Sequence, residues 1–288
     1  MIRLDQFPSI STRQTAAWKI HSYDRVNSTQ DNAIAEARRI VSENDRPELA
    51  PCSYFSAHIA REQTGGRGQY TRKWSSPAGG LYASMVIAGA PEMDAHVTPL
   101  LAGAAVVQTI GQMPGMGKVT GDIAIRWPND VLLRGKKLAG ILSECVSQGG
   151  RRAAVVGIGL NLNTRMADFP SEISTYAASL FDHTGQTISL ESATRLLLDR
   201  IQAIWMESAV RRHPSICDDV IQWIAGRDYL HGKLVTISVD GRNITGRGAG
   251  ISRHGELLLQ TAEGSVSIIS GTILAVEGEP VRSSGQGL

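Results

Sequence analysis

Three stretches of the sequence concentrate residue types that could do chemistry. The decapeptide Gly65-Gly66-Arg67-Gly68-Gln69-Tyr70-Thr71-Arg72-Lys73-Trp74 puts three glycines and three cations into ten positions. Glycines let a backbone approach a ligand closely and present N–H groups to it, and arginines add bidentate contacts for phosphate or carboxylate oxygens. The composition suits an anion-binding loop. A solvated basic hairpin would share it, and the interleaved Arg, Lys, Tyr and Trp would also suit single-stranded nucleic acid.

The second stretch, Arg126-Trp127-Pro128-Asn129-Asp130, lies between two β-type runs. Asn129 and Asp130 offer oxygens to Mg²⁺ or to a ribose hydroxyl, and they are equally ordinary turn residues. Soon after come Lys136 and Lys137, leading into the apolar run that contains Gly140. A lysine at a strand's start either points into a cleft or snorkels to water, and the glycine permits close backbone approach. The third stretch is Val155-Val156-Gly157-Ile158-Gly159-Leu160-Asn161-Leu162-Asn163. Its GxG follows a strand, but without a third glycine or a following helix the dinucleotide fingerprint fails. GQMPGMGKVT fails as a phosphate loop as well, since Gln112 stands where the first glycine belongs and Val119 where Ser or Thr must hold the metal. No GxSxG elbow occurs and no nucleophile pairs with an obvious His base. Catalysis by this chain would rest on binding and electrostatics.

These residues need elements to position them. Ser28-Thr29 precedes apolar residues at Ala33, Ile34, Ala37, Ile40 and Val41, which predicts a capped amphipathic helix ending near Glu43. From Ser53 onward, short β-type runs alternate with Gly/Pro punctuation, while 98–113 and 189–209 read as helices. Several connections are too short for crossover helices, so the expected fold is α+β with a mixed or antiparallel sheet. After about residue 228 the pattern changes to short strands separated by DG, RHG and AEG turns, a small β domain. A helix from Ser215 to Gly226 would link the two. The expected division is an irregular segment over 1–20, a main domain over 21–228, the β domain over 229–278 and a flexible tail over 279–288.

Composition narrows the function classes. The 29 Lys+Arg and 27 Asp+Glu leave a net charge of +2, too small for the whole surface to serve nucleic acid, so any anion site is local. Three scattered cysteines suggest neither a disulfide framework nor a zinc site, which fits a reducing cytoplasm. No signal-peptide run or membrane span is read, and the seven histidines show no ligand spacing.

Taken together and in order, GGRGQYTRKWSSPAGGLYASM, RWPNDVLLRGKKLAGILSE and VVGIGLNLN resemble the signatures of biotin–protein ligases across roughly residues 22–277. The resemblance implies a class II synthetase-like catalytic domain followed by an SH3-like domain. It implies adenylation of biotin by MgATP to biotinyl-5′-AMP, then transfer to one lysine of a biotin carboxyl carrier protein, a subunit of acetyl-CoA carboxylase. ATP, Mg²⁺ and biotin are then substrates or activator, and no tightly bound cofactor is expected. Ser28, Thr29 and Gln30, with Gln63, would bind the ureido ring. Gly66, Arg67, Gly68 and Gln69 would cover biotin and the phosphate, with Gly140 beside them. Arg72 and Trp74 would order ATP, Lys137 would stabilise the reacting carboxylate and α-phosphate, and Arg67 would assist catalysis. Asn129 and Asp130 would serve nucleotide, metal or acceptor lysine, Asp130 being the one metal candidate, and Asn161 would lie near the adenine.

Three positions depart from the family pattern. Gln30 stands in place of the usual Asn, Gln69 in place of an arginine, and Thr71 in place of a common glycine. Fewer than thirty residues precede Ser28, so the helix-turn-helix domain of family members that repress transcription is not expected, nor is DNA binding. A homodimer is left open. Two rival readings are a lipoate or octanoyl ligase or transferase on the same fold, and a non-catalytic module binding nucleic acid or protein. Thermal shifts with biotin or lipoate plus MgATP would separate the first, and salt-sensitive nucleic-acid binding the second.

Overall fold

A computed structural model describes residues 18–42, 52–89, 96–211 and 218–279. In chain order the elements are β1 (Lys19–Val26), α1 (Thr29–Ser42), β2 (Tyr54–Gln63), β3 (Leu81–Ala88), α2 (Val97–Gln112), β4 (Ile123–Arg126), β5 (Asp130–Leu133), β6 (Lys136–Gln148) and β7 (Arg151–Leu160). Four helices follow: α3 (Ser171–Ser174), α4 (Leu180–Thr184), α5 (Leu190–Arg211) and α6 (Asp218–Ala225). The chain then forms β8 (Leu234–Val239), β9 (Arg242–Ile251), β10 (Leu257–Thr261), β11 (Gly264–Ile268) and β12 (Thr272–Val276).

The first seven strands make one sheet in the order β1-β2-β3-β7-β6-β5-β4. Every neighbouring pair is antiparallel except β1 and β2, which run parallel with α1 as their crossover. The sheet is mixed, as the sequence led one to expect. β3 is buried along its whole length, and its period of two feeds two cores. Leu81, Ala83, Met85 and Ile87 join the large core that contains α2 and α5. Val86 and Ala88 face the other way, where Ala33, Ala37, Ile40 and Val41 of α1 cover them. The Gly149-Gly150 turn between β6 and β7 holds both residues at positive φ, 56° and 79°, the backbone that a two-residue hairpin demands. That turn sets a continuous ladder from Ala139↔Leu160 to Gln148↔Arg151, which brings the two glycine-containing strand ends side by side.

The last five strands form a separate antiparallel sheet, order β11-β10-β9-β8-β12. Backbone bonds tie the segment leading into it to the first: Ile125 donates to the Arg227 carbonyl at 2.8 Å and Tyr229 to the Ile125 carbonyl at 2.9 Å. The fully buried Trp127 adds an indole N–H bond to the Gly255 carbonyl at 3.0 Å.

Two expectations change. The irregular segment expected over 1–20 ends earlier, because β1 begins at Lys19, while residues 1–17 lie outside the described ones. β1 is an edge strand with mostly exposed or half-buried side chains, so it lacks the apolar alternation that marks a strand. The expected linker helix is present as α6, and Ser215 to Cys217 lie outside the described residues. Of the tail expected over 279–288, only Glu279 is described, and its carboxylate is paired with Arg126 at 3.3 Å.

Among the described residues, Cys52 and Cys145 are free thiols, and burial pushes the Cys52 thiol up to about 12. No described helix is long and apolar enough to cross a membrane.

Candidate active site

One cleft gathers the start of α1, the basic glycine loop, the ends of β5, β6 and β7, and β12 of the second sheet. Its uncharged end is built on α1. Thr29 donates its backbone N–H to Gln63 Oε1 at 2.8 Å, and its hydroxyl lies 3.0 Å from the same oxygen and 2.9 Å from Ser84 Oγ. Gln63 Nε2 donates to Ser76 Oγ at 2.9 Å, which fixes the orientation of that amide. Gln30 Nε2 donates to Glu144 Oε2 at 2.8 Å, while Gln30 Oε1 is buried without a protein donor. A Cβ on Gly157 would come within 2.4 Å of that oxygen, so the first glycine of the GxG gives the amide its room. A buried carbonyl acceptor of this kind favours a ligand that brings an N–H.

The basic loop is a closed hairpin. Gly68 donates to the Arg72 carbonyl at 2.8 Å, Arg72 to that of Gln69 at 3.2 Å, and Trp74 to that of Gly66 at 2.8 Å. Tyr70 takes the positive φ at its turn, 58°, and is exposed. Arg67 is anchored at two points: Nη1 donates to Asp31 Oδ1 at 3.0 Å and Nη2 to Glu144 Oε1 at 3.2 Å. The loop ends on Trp74, a buried indole laid against two glycines. A Cβ on Gly159 would meet its ring at 2.4 Å, and one on Gly140 would meet it at 2.9 Å. The close approach read into Gly140 and the GxG thus has a partner: the indole.

The charged end is a chain of ion pairs. Asp130 Oδ1 lies 2.8 Å from Lys137 Nζ, and Asp130 Oδ2 accepts from Arg126 Nη2 at 2.7 Å. Arg126 is almost wholly buried and also reaches Glu279 of the second domain at 3.3 Å. Burial alone would raise the Asp130 pKa, but the adjacent Lys137 and Arg126 charges outweigh it and hold the carboxyl well below the usual range. Burial likewise acts to lower the Arg126 pKa, and Asp130 and Glu279 reverse that. Arg126 is therefore held as a cation, and Asp130 is a poor proton acceptor at neutral pH. Lys137 Nζ stands 5.2 Å from the Trp74 ring centroid, in cation–π range.

Of the residues singled out in the sequence, Thr29, Gln30, Gln63, Arg67, Gly68, Gln69, Arg72, Trp74, Asn129, Asp130, Lys137 and Gly140 line this one cleft. Ser28, Gly66 and Asn161 are not among its lining residues. Ser28 is buried at the helix start, and Gly66 lies under the Trp74 carbonyl, where a Cβ would come within 2.4 Å. Asn161 turns its amide to the Ala178 carbonyl at 3.0 Å, so it braces the end of β7. Asn129 clamps the β5–β6 edge through Nδ2 to the Ile141 carbonyl at 2.7 Å. The sequence did not point to Glu144, Asp31, Ser84, Glu279 or β12. For Glu144 there was a signal: a lone carboxylate inside the apolar run AGILSECV.

A cleft between a mixed sheet bearing a basic glycine loop and a small antiparallel sheet places the chain in the class of biotin and lipoate ligases. Residues 26–163 match the Biotin/lipoate A/B protein ligase family, and residues 230–274 match the Biotin protein ligase C terminal domain. A bifunctional ligase/repressor of Bacillus spizizenii is 32% identical over 257 residues, covering 87% of this chain and 72% of the relative. A biotin–[acetyl-CoA-carboxylase] ligase of Mycobacterium tuberculosis is 27% identical over 75% of this chain and 77% of its own length. The solved biotin protein ligase of Aquifex aeolicus, in complex with biotin and ATP, superposes with a TM-score of 0.68 at 27% identity, covering 90% of this chain and 98% of that one. The chain belongs to the biotin protein ligase family.

Proposed function

We infer that the chain activates biotin with MgATP, giving biotinyl-5′-AMP and pyrophosphate, and then transfers the biotinyl group to one lysine of a biotin carboxyl carrier protein of acetyl-CoA carboxylase. The carrying observation is that a single cleft joins an uncharged end, Thr29, Gln30 and Gln63, to a charged end where Lys137 and Arg126 are held by Asp130. That polarity suits a ligand with a cyclic urea at one end and a carboxylate at the other.

In the first step a carboxylate oxygen of biotin attacks the α-phosphorus, and the bond to pyrophosphate breaks. Negative charge builds on the α-phosphoryl oxygens and on the leaving group, where a fixed ammonium and arginines lower the barrier. Lys137, held by Asp130 and backed by Trp74, is the group in place for this. Arg67, Gly68 and Gln69 cover the adenylate, and Arg72 and Trp74 order the nucleotide. In the second step the neutral amine of the acceptor lysine attacks the acyl carbon, AMP leaves, and the amine loses a proton as the amide forms. Mg²⁺ enters with ATP as part of the substrate. Both oxygens of Asp130 face cations, so Asp130 serves to hold Lys137 and Arg126. The cytoplasm is the compartment in which Cys52 and Cys145 stay reduced.

The test is to incubate the chain with biotin, MgATP and a carrier domain and read the product by mass. One biotin on one lysine is expected, and no transfer would remove the second step. Lys137→Ala is expected to slow biotin-dependent pyrophosphate exchange by about 10² or more. Near-normal exchange would remove Lys137 from its role.

A further inference from the structure

Glu144 sits on β6, across the sheet surface from the start of α1, and bonds one residue of that helix and one of the basic loop: Oε2 accepts from Gln30 Nε2 at 2.8 Å, and Oε1 accepts from Arg67 Nη2 at 3.2 Å. An ionised carboxylate has only acceptors to offer, so it dictates which end of the Gln30 amide faces it. The NH₂ end turns to Glu144, and the carbonyl end is left unpaired against Gly157, which lines the cleft together with Gln30. The same carboxylate anchors the basic loop through Arg67, whose other nitrogen is held by Asp31 on the first turn of α1. A residue-30 side chain one methylene shorter would fall short of this contact from the same Cα.

We propose that Glu144 is a positioning residue for biotin recognition, setting the Gln30 carbonyl to accept a ureido N–H while tethering the loop that covers the ligand. This rests on the reading of Gln30 as the ureido partner. It makes one carboxylate responsible both for selecting the ring and for holding the cover over it, so the two functions should fail together.

The experiment measures biotin affinity by calorimetry, KM values for biotin and ATP in pyrophosphate exchange, melting temperature, and tryptic cleavage within residues 65–74. Losing a hydrogen bond to a charged group weakens binding by about tenfold to a hundredfold. Glu144→Ala and the isosteric Glu144→Gln are expected to raise the biotin Kd and KM by that factor, with a smaller rise in the ATP KM and a modest fall in the melting temperature. Both should also speed cleavage of the loop. Gln30→Ala combined with Glu144→Ala should weaken biotin binding by less than the product of the two single effects, because both variants remove the Gln30–Glu144 contact. Exchanging the partners, Gln30→Glu with Glu144→Gln, keeps a donor between the two side chains, a free acceptor toward the cleft and an oxygen for Arg67. It should recover most of the lost affinity. Unchanged biotin affinity in Glu144→Gln, additive losses in the double variant, or no recovery on exchange would each overturn the proposal while leaving the ligase reading intact. A parent protein that does not bind biotin at all would overturn both.

Discussion

At the scale of single residues, the charged end of the cleft depends on Asp130 more than its own chemistry suggests. A carboxylate between Lys137 and Arg126 neutralises part of their charge, yet it also fixes where that charge sits. Preorganised charge stabilises a transition state without reorganising during the reaction. The loop shows the complementary case. Gln69 lines the cleft where an arginine would add another cation. Restoring one with Gln69→Arg is expected to slow escape of biotinyl-AMP, read as the rate at which preformed adenylate leaves the protein, and equal rates would discount residue 69. Thr71 stands in place of a common glycine, but the left-handed position belongs to its neighbour Tyr70. That distinction is invisible in sequence, because GQYTR does not say which residue takes the turn. The same holds for Gln30: its amide could be read as a binding group, but not which end would face the ligand, since that depends on Glu144 more than a hundred positions away.

At the scale of elements, the glycines of β7 were legible as close-approach positions and illegible as to what approaches. Gly157 faces Gln30 and Gly159 faces Trp74, two residues brought in by α1 and by the loop. A methyl at Gly159 would press into a buried indole with no flexible end to yield, and overpacking of this kind costs about 1–3 kcal/mol. Gly159→Ala is therefore expected to lower the melting temperature and to impair pyrophosphate exchange through displacement of Trp74. Normal kinetics would show that the indole has no part in ordering substrates.

The join between α1 and the β1–β2 edge is polar and pH-sensitive. Glu36 accepts from Tyr54 at 2.7 Å, Ser56 at 2.7 Å and His58 at 2.8 Å, and His58 bonds Tyr23 at 2.9 Å and stacks on His21. Burial acts to raise the Glu36 pKa, but these hydrogen bonds prevail and bring it from 4.5 to about 2. Burial lowers the His58 pKa from 6.5, and its bond to Glu36 offsets this only in part. Both groups bind protons less readily in the folded chain than in the unfolded one. Stability is then full above pH 6.5, falls first as His58 is forced to protonate, and falls again from 4.5 toward 2. The Glu36 part is on the order of 3 kcal/mol. Melting temperature measured against pH should show this decline, and Glu36→Gln should flatten its lower portion. An unchanged slope in that variant would disconnect the network from acid stability. None of it could be read from KIHSYDRV, since the parallel pairing that sets His21 opposite His58 is a long-range choice.

At the scale of the whole molecule, the two sheets share one site. Arg126 links Asp130 of the first sheet to Glu279 beyond the last strand, and Trp127 reaches the Gly255 carbonyl. The presence of a small β domain was legible from its turns, but that it walls the cleft was not, because its strands carry no residue type that marks ligand contact. Glu279→Ala leaves Arg126 with Asp130 alone and is expected to cost about 1.5–3 kcal/mol. It should lower the melting temperature and raise the KM for ATP several-fold while the biotin Kd stays near that of the parent. A biotin defect as large as the ATP defect would show that the cleft does not divide as described.

The placement of β12 and Glu279 on the cleft wall orders the site along the chain. Every residue assigned to ring recognition precedes Gly271, whereas part of the wall comes from residues 271–276 and Glu279. A chain cut before Gly271 is therefore expected to keep biotin binding and to lose pyrophosphate exchange, and exchange at the parent rate would show that the last strand has no part in the site.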